Sequence, residues 1–303
     1  MIVIPLNSAK KLHNVVTVSK TGGDFTDPVA ALNSITDASA DNLYLVVIGP
    51  GVYTMTEPLI TKSFVSIAGA GQEVTRLTGT LNGSIVSGDA CDYTLSDLTI
   101  ENTGGNQWST GLSNSCYLGL NSPSPKFEDV TIIVSGGTTT NSGIRNYGVA
   151  ERPGAMIDAS PIMKNVTIRA SGGTDSYGVY NFNASPTMIN VTSSATQATN
   201  NYSIYNYYSY GKTHLSNCIL KGDLVTLGEI WIKDSSITGD VTIDVKNISV
   251  IKSSISGDIK GGYAGIYIYK SSVNSITASG SKNCVFSDNF TNELDNDCVE
   301  ITP

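Results

Sequence analysis

The chain has 303 residues, only 15 % of them charged, and carries a net charge of −8. A nucleic-acid binder needs a basic face, and four arginines without a basic cluster do not build one. The longest strongly apolar run, Leu43–Ile48, falls far short of the roughly 20 residues of a spanning helix, so no membrane insertion is expected.

Met1–Leu12 lacks a signal-peptide layout, because its apolar stretch is short, contains Pro5 and precedes Lys10 and Lys11. Residues 15–79 read as an opening module and cap. Val15–Val18 is a short strand, and Gly22-Gly23-Asp24 is a turn. Asp27 or a neighbour caps a short helix with Pro28 in its first turn and Val29, Ala30, Leu32 and Ile35 facing inward. Leu43–Ile48 reads as a fully buried strand, Gly49-Pro50-Gly51 turns the chain, and strand spacing continues through Leu59-Ile60, Val65-Ser66-Ile67 and Leu77.

Residues 80–214 repeat in long coils. One strand recurs as Leu98-Thr99-Ile100, Val130-Thr131-Ile132, Val166-Thr167-Ile168 and Val191-Thr192-Ser193, each preceded by Asp97, Asp129, Asn165 or Asn190. A second signature, small–aliphatic–x–Asn, ends on Asn114, Asn146, Asn181 and Asn206. Pro125, Pro161 and Pro186 each follow a serine ahead of the strand. From 215 to 283 the coils shorten to a step of 18, read from Cys218, Ser236, Ser254 and Ser272. Residues 284–303 form a C-terminal cap.

Repetition of this kind means a solenoid, whose units bury their apolar faces only by stacking. Three short parallel strands per coil, with aliphatic residues inward and Thr outward, give one all-β domain, a parallel β-helix. Its four asparagines are expected to stack at one corner and bond along the axis.

Val16-Thr17-Val18, Gly23-Asp24-Phe25-Thr26, Ala30-Ala31-Leu32, Ile48-Gly49-Pro50-Gly51-Val52-Tyr53 and Ala68-Gly69-Ala70-Gly71 resemble the opening of pectin methylesterases. Those enzymes share the right-handed β-helix superfamily with pectate lyases and polygalacturonases. The later coils, with Tyr177-Gly178-Val179-Tyr180-Asn181, and the closing segment resemble uncharacterised bacterial β-helix proteins. The resemblance implies a fold. The superfamily's catalytic stretches are missing: none of the three glutamines precedes an aspartate, Arg152-Pro153 lacks the rest of the lyase motif, and neither histidine lies in Gly-His-Gly. The expectation therefore leans away from an enzyme.

Asp97 and Asp129 hold equivalent places on neighbouring coils, so they are the weak candidates for a carboxylate pair. They are read first as turn-capping acids, since Asn165 and Asn190 fill the same slot. Aromatic residues offer the stronger signal. Tyr180 and Tyr205 occupy the outward position that Ser113 and Arg145 hold in earlier coils, with Phe182, Tyr207, Tyr208 and Tyr210 following. Flat rings on a wall suit sugar faces, although such rings also stabilise neighbouring strands by stacking. Cys284 and Cys298 bracket the last segment, and whether they form a disulfide is left open. No spacing suggests zinc or calcium, and no metal or cofactor is expected.

Three functions follow from this reading. The first is a non-catalytic surface or virion-associated protein that binds a polysaccharide. The second is a polysaccharide-active enzyme (esterase, lyase or glycoside hydrolase) with a rearranged carboxylate site. The third is a purely structural subunit that forms trimers or joins end to end. The first and third place the protein outside the cell, at its surface or on a virion.

Overall fold

The computed structural model describes residues 14–89, 92–115, 124–152, 155–157, 159–207, 212–244, 246–261, 265–278, 284–287, 290–294 and 298–300. Strands dominate them, and nearly all join one continuous sheet of parallel pairs. The sheet winds into a right-handed parallel β-helix, the hand that parallel crossover connections take almost without exception.

Three walls run along the axis. The first passes through Tyr44–Ile48, Val65–Ala68, Ile162–Lys164, Thr187–Ile189, Lys212–Ser216 and Glu229–Lys233. The second passes through Gly51–Met55, Thr75–Gly79, Thr167–Ser171, Thr192–Thr196 and Ile219–Lys221. Thr94–Asn102 and Lys126–Val134 serve both walls, bending between them. The third wall stacks Gly83–Asp89, Trp108–Ser115, Thr140–Tyr147, Asp175–Phe182, Asn200–Tyr207 and Asp223–Thr226. Aliphatic residues from all three meet in the bore, where Leu98, Val130, Ile168, Ile204, Leu224 and Ile243 are fully buried. Each wall covers the inner face of the others, as parallel sheets require.

The corner between the first and second walls repeats one conformation. Asp97, Asp129, Asn165, Asn190, Asn217, Asp234, Lys252 and Lys270 all have φ between 47° and 57°. Asn and Asp visit this left-handed region more readily than other L-residues because their short side chains bond locally. The spacing of these residues is 32, 36, 25, 27, 17, 18 and 18, so coils shorten abruptly beyond Asn217. A proline column holds the same register: the carbonyls of Pro125, Pro161 and Pro186 accept from the amides of Ile162, Thr187 and His214 on successive rungs.

Several expectations need correction. Cys218 does not align with Ser236. It lies against Ser235, whose hydroxyl accepts from the Cys218 amide, while Ile219 pairs with Ser236 and Leu220 with Ile237. The first short step is thus one residue less than the rest, and a slip of one exchanges the faces of a strand: Ile219 points to solvent and Leu220 inward. The helix Pro28–Ser34 is capped by Asp27, whose carboxylate accepts from the amides of Val29 and Ala30. Ala31 rather than Ala30 faces its core. The strand over Tyr44–Ile48 is not fully buried; Val46 and Ile48 point inward and the residues between are half-buried. Thr99 is enclosed, because the loop at Gln72 crosses it and takes its hydroxyl on the Gln72 carbonyl.

An aromatic wall as the candidate functional site

The small–aliphatic–x–Asn signature lies in the third wall. Its small residue is set by space: a Cβ built on Gly143 would meet Ile168 Cγ2 at 2.2 Å and the Gly178 carbonyl at 2.6 Å. The following aliphatic, Leu112, Ile144, Val179 or Ile204, fills the bore. The next position faces outward and the asparagine faces inward.

The asparagines form a continuous ladder, but inside the wall rather than at a corner. Asn114 Nδ2 donates to Asn146 Oδ1 at 2.9 Å, Asn146 to Asn181 at 2.7 Å, and Asn181 to Asn206 at 2.7 Å. Tyr93 Oη donates to Asn114 at one end, and the Thr213 and Thr226 hydroxyls accept from Asn206 at the other. All four amides are buried. Such groups need partners, and the in-register stack supplies them along the axis.

That inner ladder keys the outer face. Ser113, Arg145, Tyr180 and Tyr205 are register partners on consecutive rungs. Two places on come Ser115, Tyr147, Phe182 and Tyr207, and three places before come Thr110, Ser142, Tyr177 and Tyr202. Seven rings therefore cluster on three rungs. Tyr180 and Tyr205 stack with centroids 5.8 Å apart and planes 10° apart; Tyr177 and Tyr202 stack at 5.3 Å and 14°. Tyr202 meets Tyr205 edge-on at 5.0 Å, and Tyr147 stacks on Phe182 at 5.6 Å. Phe182 and Tyr207 are 5.9 Å apart. These are the offset and edge-to-face distances that ring quadrupoles favour.

Arg145 closes one end of the cluster. Its guanidinium carbon is 5.1 Å from the Tyr147 ring centre and 5.4 Å from that of Tyr180, and Nη2 donates to the Tyr147 hydroxyl. No carboxylate among the described residues pairs with it. Burial pushes the Tyr177 phenol well above its ordinary range and that of Tyr180 up to about 12. Tyr202 is raised as well, first by burial and then by Tyr205, Asp175 and Asp223. The phenols stay neutral at any physiological pH.

The residues read from sequence as ligand contacts divide accordingly. Arg145, Tyr180, Phe182, Tyr205 and Tyr207 share this surface; Tyr208 and Tyr210 lie outside the described residues. Tyr147, Tyr177 and Tyr202 belong to it too, and the sequence reading missed them. Their signal was the fixed offset of each from the asparagine of its own rung.

Asp97 and Asp129 sit at the first corner, in the left-handed conformation. Asp129 accepts from Asn165 Nδ2 at 3.1 Å, and Asn165 from Asn190 at 2.7 Å. Neighbouring acids are ion-paired, Glu101 with Arg76 and Glu128 with Lys164. Among the described residues, no three His, Cys, Asp or Glu side chains converge as a metal site. Cys284 and Cys298 are backbone register partners on neighbouring strands; their sulfurs lie outside the described residues. A larger open groove, 840 Å³, follows the same corner along the short coils. The hydroxyls of its Ser235, Ser253 and Ser271 are committed to backbone groups.

No protein-family model and no curated protein sequence matches the chain. Solved structures do. The ORF18 protein of Geobacillus virus E2 is 12 % identical over 95 % of this chain, with a TM-score of 0.45, and the match spans 62 % of that protein. The A-module of Azotobacter vinelandii mannuronan C-5 epimerase AlgE4 is 15 % identical over 91 % of this chain and 93 % of its own, with a TM-score of 0.45. A pectin methylesterase from carrot is 13 % identical over 95 % and 88 %, with a TM-score of 0.42. No helix of the described residues is long and apolar enough to cross a membrane.

Proposed function

We propose that the protein binds a polysaccharide along its third wall without chemically altering it, as a surface or virion-associated β-helix. The observation that carries this reading is the cluster of seven rings on three consecutive rungs. The strip is roughly 10 Å long at a strand spacing of about 4.8 Å, and it combines apolar ring edges with phenol hydroxyls. Each ring is fixed by stacking, so little side-chain entropy remains to be lost on binding. A contiguous aromatic surface on the outside of a wall marks a contact face. The engagement of Asp129 in the corner ladder, and of Glu101 and Glu128 in ion pairs, supports binding over acid–base chemistry.

A glycan array compares wild type with the double variant Tyr180→Ala/Tyr205→Ala. Wild type is expected to retain a defined set of glycans that the variant loses. Identical profiles, or no retained glycan, would overturn the reading.

A further inference from the structure

The Tyr177–Tyr202 column ends at Tyr202 among the described residues. Within the stack, Tyr177 covers one face of Tyr202. Among the described residues no ring continues this column on the next rung, where the register partner of Tyr202 is Asp223. The coil also shortens here, from 27 residues to 17. The turn at Thr199 and the strand start at Asn200–Asn201 form a ledge beside the tighter turns at Gly222 and Gly239. Under that ledge lies a cavity of 360 Å³, bounded by Tyr202, Asp223, Thr199 and Thr238. Its volume is at the small end of ligand pockets.

The chemistry of the cavity is specific. Asp223 Oδ1 accepts from the Asp240 amide at 3.0 Å, which leaves Oδ2 without a hydrogen-bond partner among the described residues. An ionised carboxylate only accepts hydrogen bonds, so Oδ2 calls for a donor. The side chains of Thr199 and Thr238 are exposed and can donate or accept. Among the described residues no lysine or arginine lines the cavity; Lys260, paired with Asp240, lies close enough to interact with Asp223, and Asp175 close enough to act on the Tyr202 phenol. Within the described lining, an anionic ligand would meet the Asp223 carboxylate and no cation. Arg145 is two rungs away, with its guanidinium against Tyr147 and Tyr180.

We infer that this ledge is the anchoring subsite of the wall and takes an uncharged, hydroxyl-rich sugar unit. The apolar face of the sugar lies on the free side of Tyr202, and its hydroxyls donate to Asp223 Oδ2. The inference rests on the wall's binding a polysaccharide and adds the class of sugar and the place where it seats.

The test uses an array carrying both uncharged hexose oligomers and uronate oligomers, with wild type, Asp223→Asn and Thr238→Tyr. Asp223→Asn keeps an acceptor for the Asp240 amide, and Thr238→Tyr fills the mouth of the cavity from an exposed position. Thermal melting confirms that both variants fold. Wild type is expected to retain uncharged oligomers, and each variant to lose retention about tenfold or more, equivalent to about 1.4 kcal/mol. Undiminished retention by both variants, with retention still lost in Tyr180→Ala/Tyr205→Ala, overturns the subsite and leaves the wall standing. Preferential retention of uronates overturns the class of sugar. No retention by wild type overturns the wall reading and the subsite with it.

Discussion

At the residue scale, the asparagine ladder shows how a polar column survives in an apolar bore. Each amide both donates to and accepts from its neighbours, so cutting one rung orphans two others. Asn181→Ala leaves Asn146 Nδ2 and Asn206 Oδ1 without partners, at a cost of about 1–3 kcal/mol for each buried group. A denaturant midpoint well below wild type is the expected outcome. The corner column makes the opposite case. Asn and Asp hold it in the long coils, but Lys252 and Lys270 hold it in the short ones, at φ 47° and 48°. Lysine has no short polar side chain to ease that conformation. Lys252→Asn is expected to stabilise the protein by about 0.5–1 kcal/mol, read as a higher melting midpoint. A lower midpoint would show that the lysine stem contributes more packing than the turn loses in strain.

At the scale of the element, the third wall is one repeated strand doing two jobs on its two faces. The alternation that sends Asn181 inward sends Tyr180 and Phe182 outward, so inner register and outer columns are set together. Its phenols give a direct probe. An unfolded tyrosine ionises near pH 10, whereas burial holds Tyr180 up to about 12 and Tyr177 higher still. The unfolded state therefore loses its protons first. Stability from these groups is fully present below pH 10 and is lost as pH rises through their folded values. Absorbance titration is expected to show a late tyrosinate phase that shrinks in Tyr177→Phe/Tyr180→Phe. The repeated signature also sets what was legible beforehand. Tyr180 and Tyr205 were found because they sit between two signature positions. Tyr177 and Tyr202 were not legible from alternation, because they stand three places before that position, where strict alternation points a side chain inward; two successive buried residues, Gly178-Val179 and Ser203-Ile204, turn them outward. Cys218 was misplaced because Cys-Ile-Leu offers two inward aliphatics, and only the neighbouring rung decides between them. The asparagines were expected at a corner because the length of the third-wall strand does not show in a four-residue motif.

At the scale of the molecule, the solenoid is uniform in its bore and varied outside it. The winding was legible from the recurrence of Asp97, Asp129, Asn165 and Asn190 at unequal steps, because only stacked strands tolerate loops of such different length. The ledge was not legible. It exists because a coil of 27 residues is followed by one of 17, and its lining comes from residues up to 40 positions apart, Thr199 to Gly239. The most direct measurement is oxidative footprinting of tyrosines with and without a glycan retained on the array. Protection is predicted at Tyr180, Tyr202 and Tyr205, with Tyr267 and Tyr269 on the first wall labelled equally in both states. Equal labelling of the third-wall rings in both states, or protection confined to the first wall, would contradict the account.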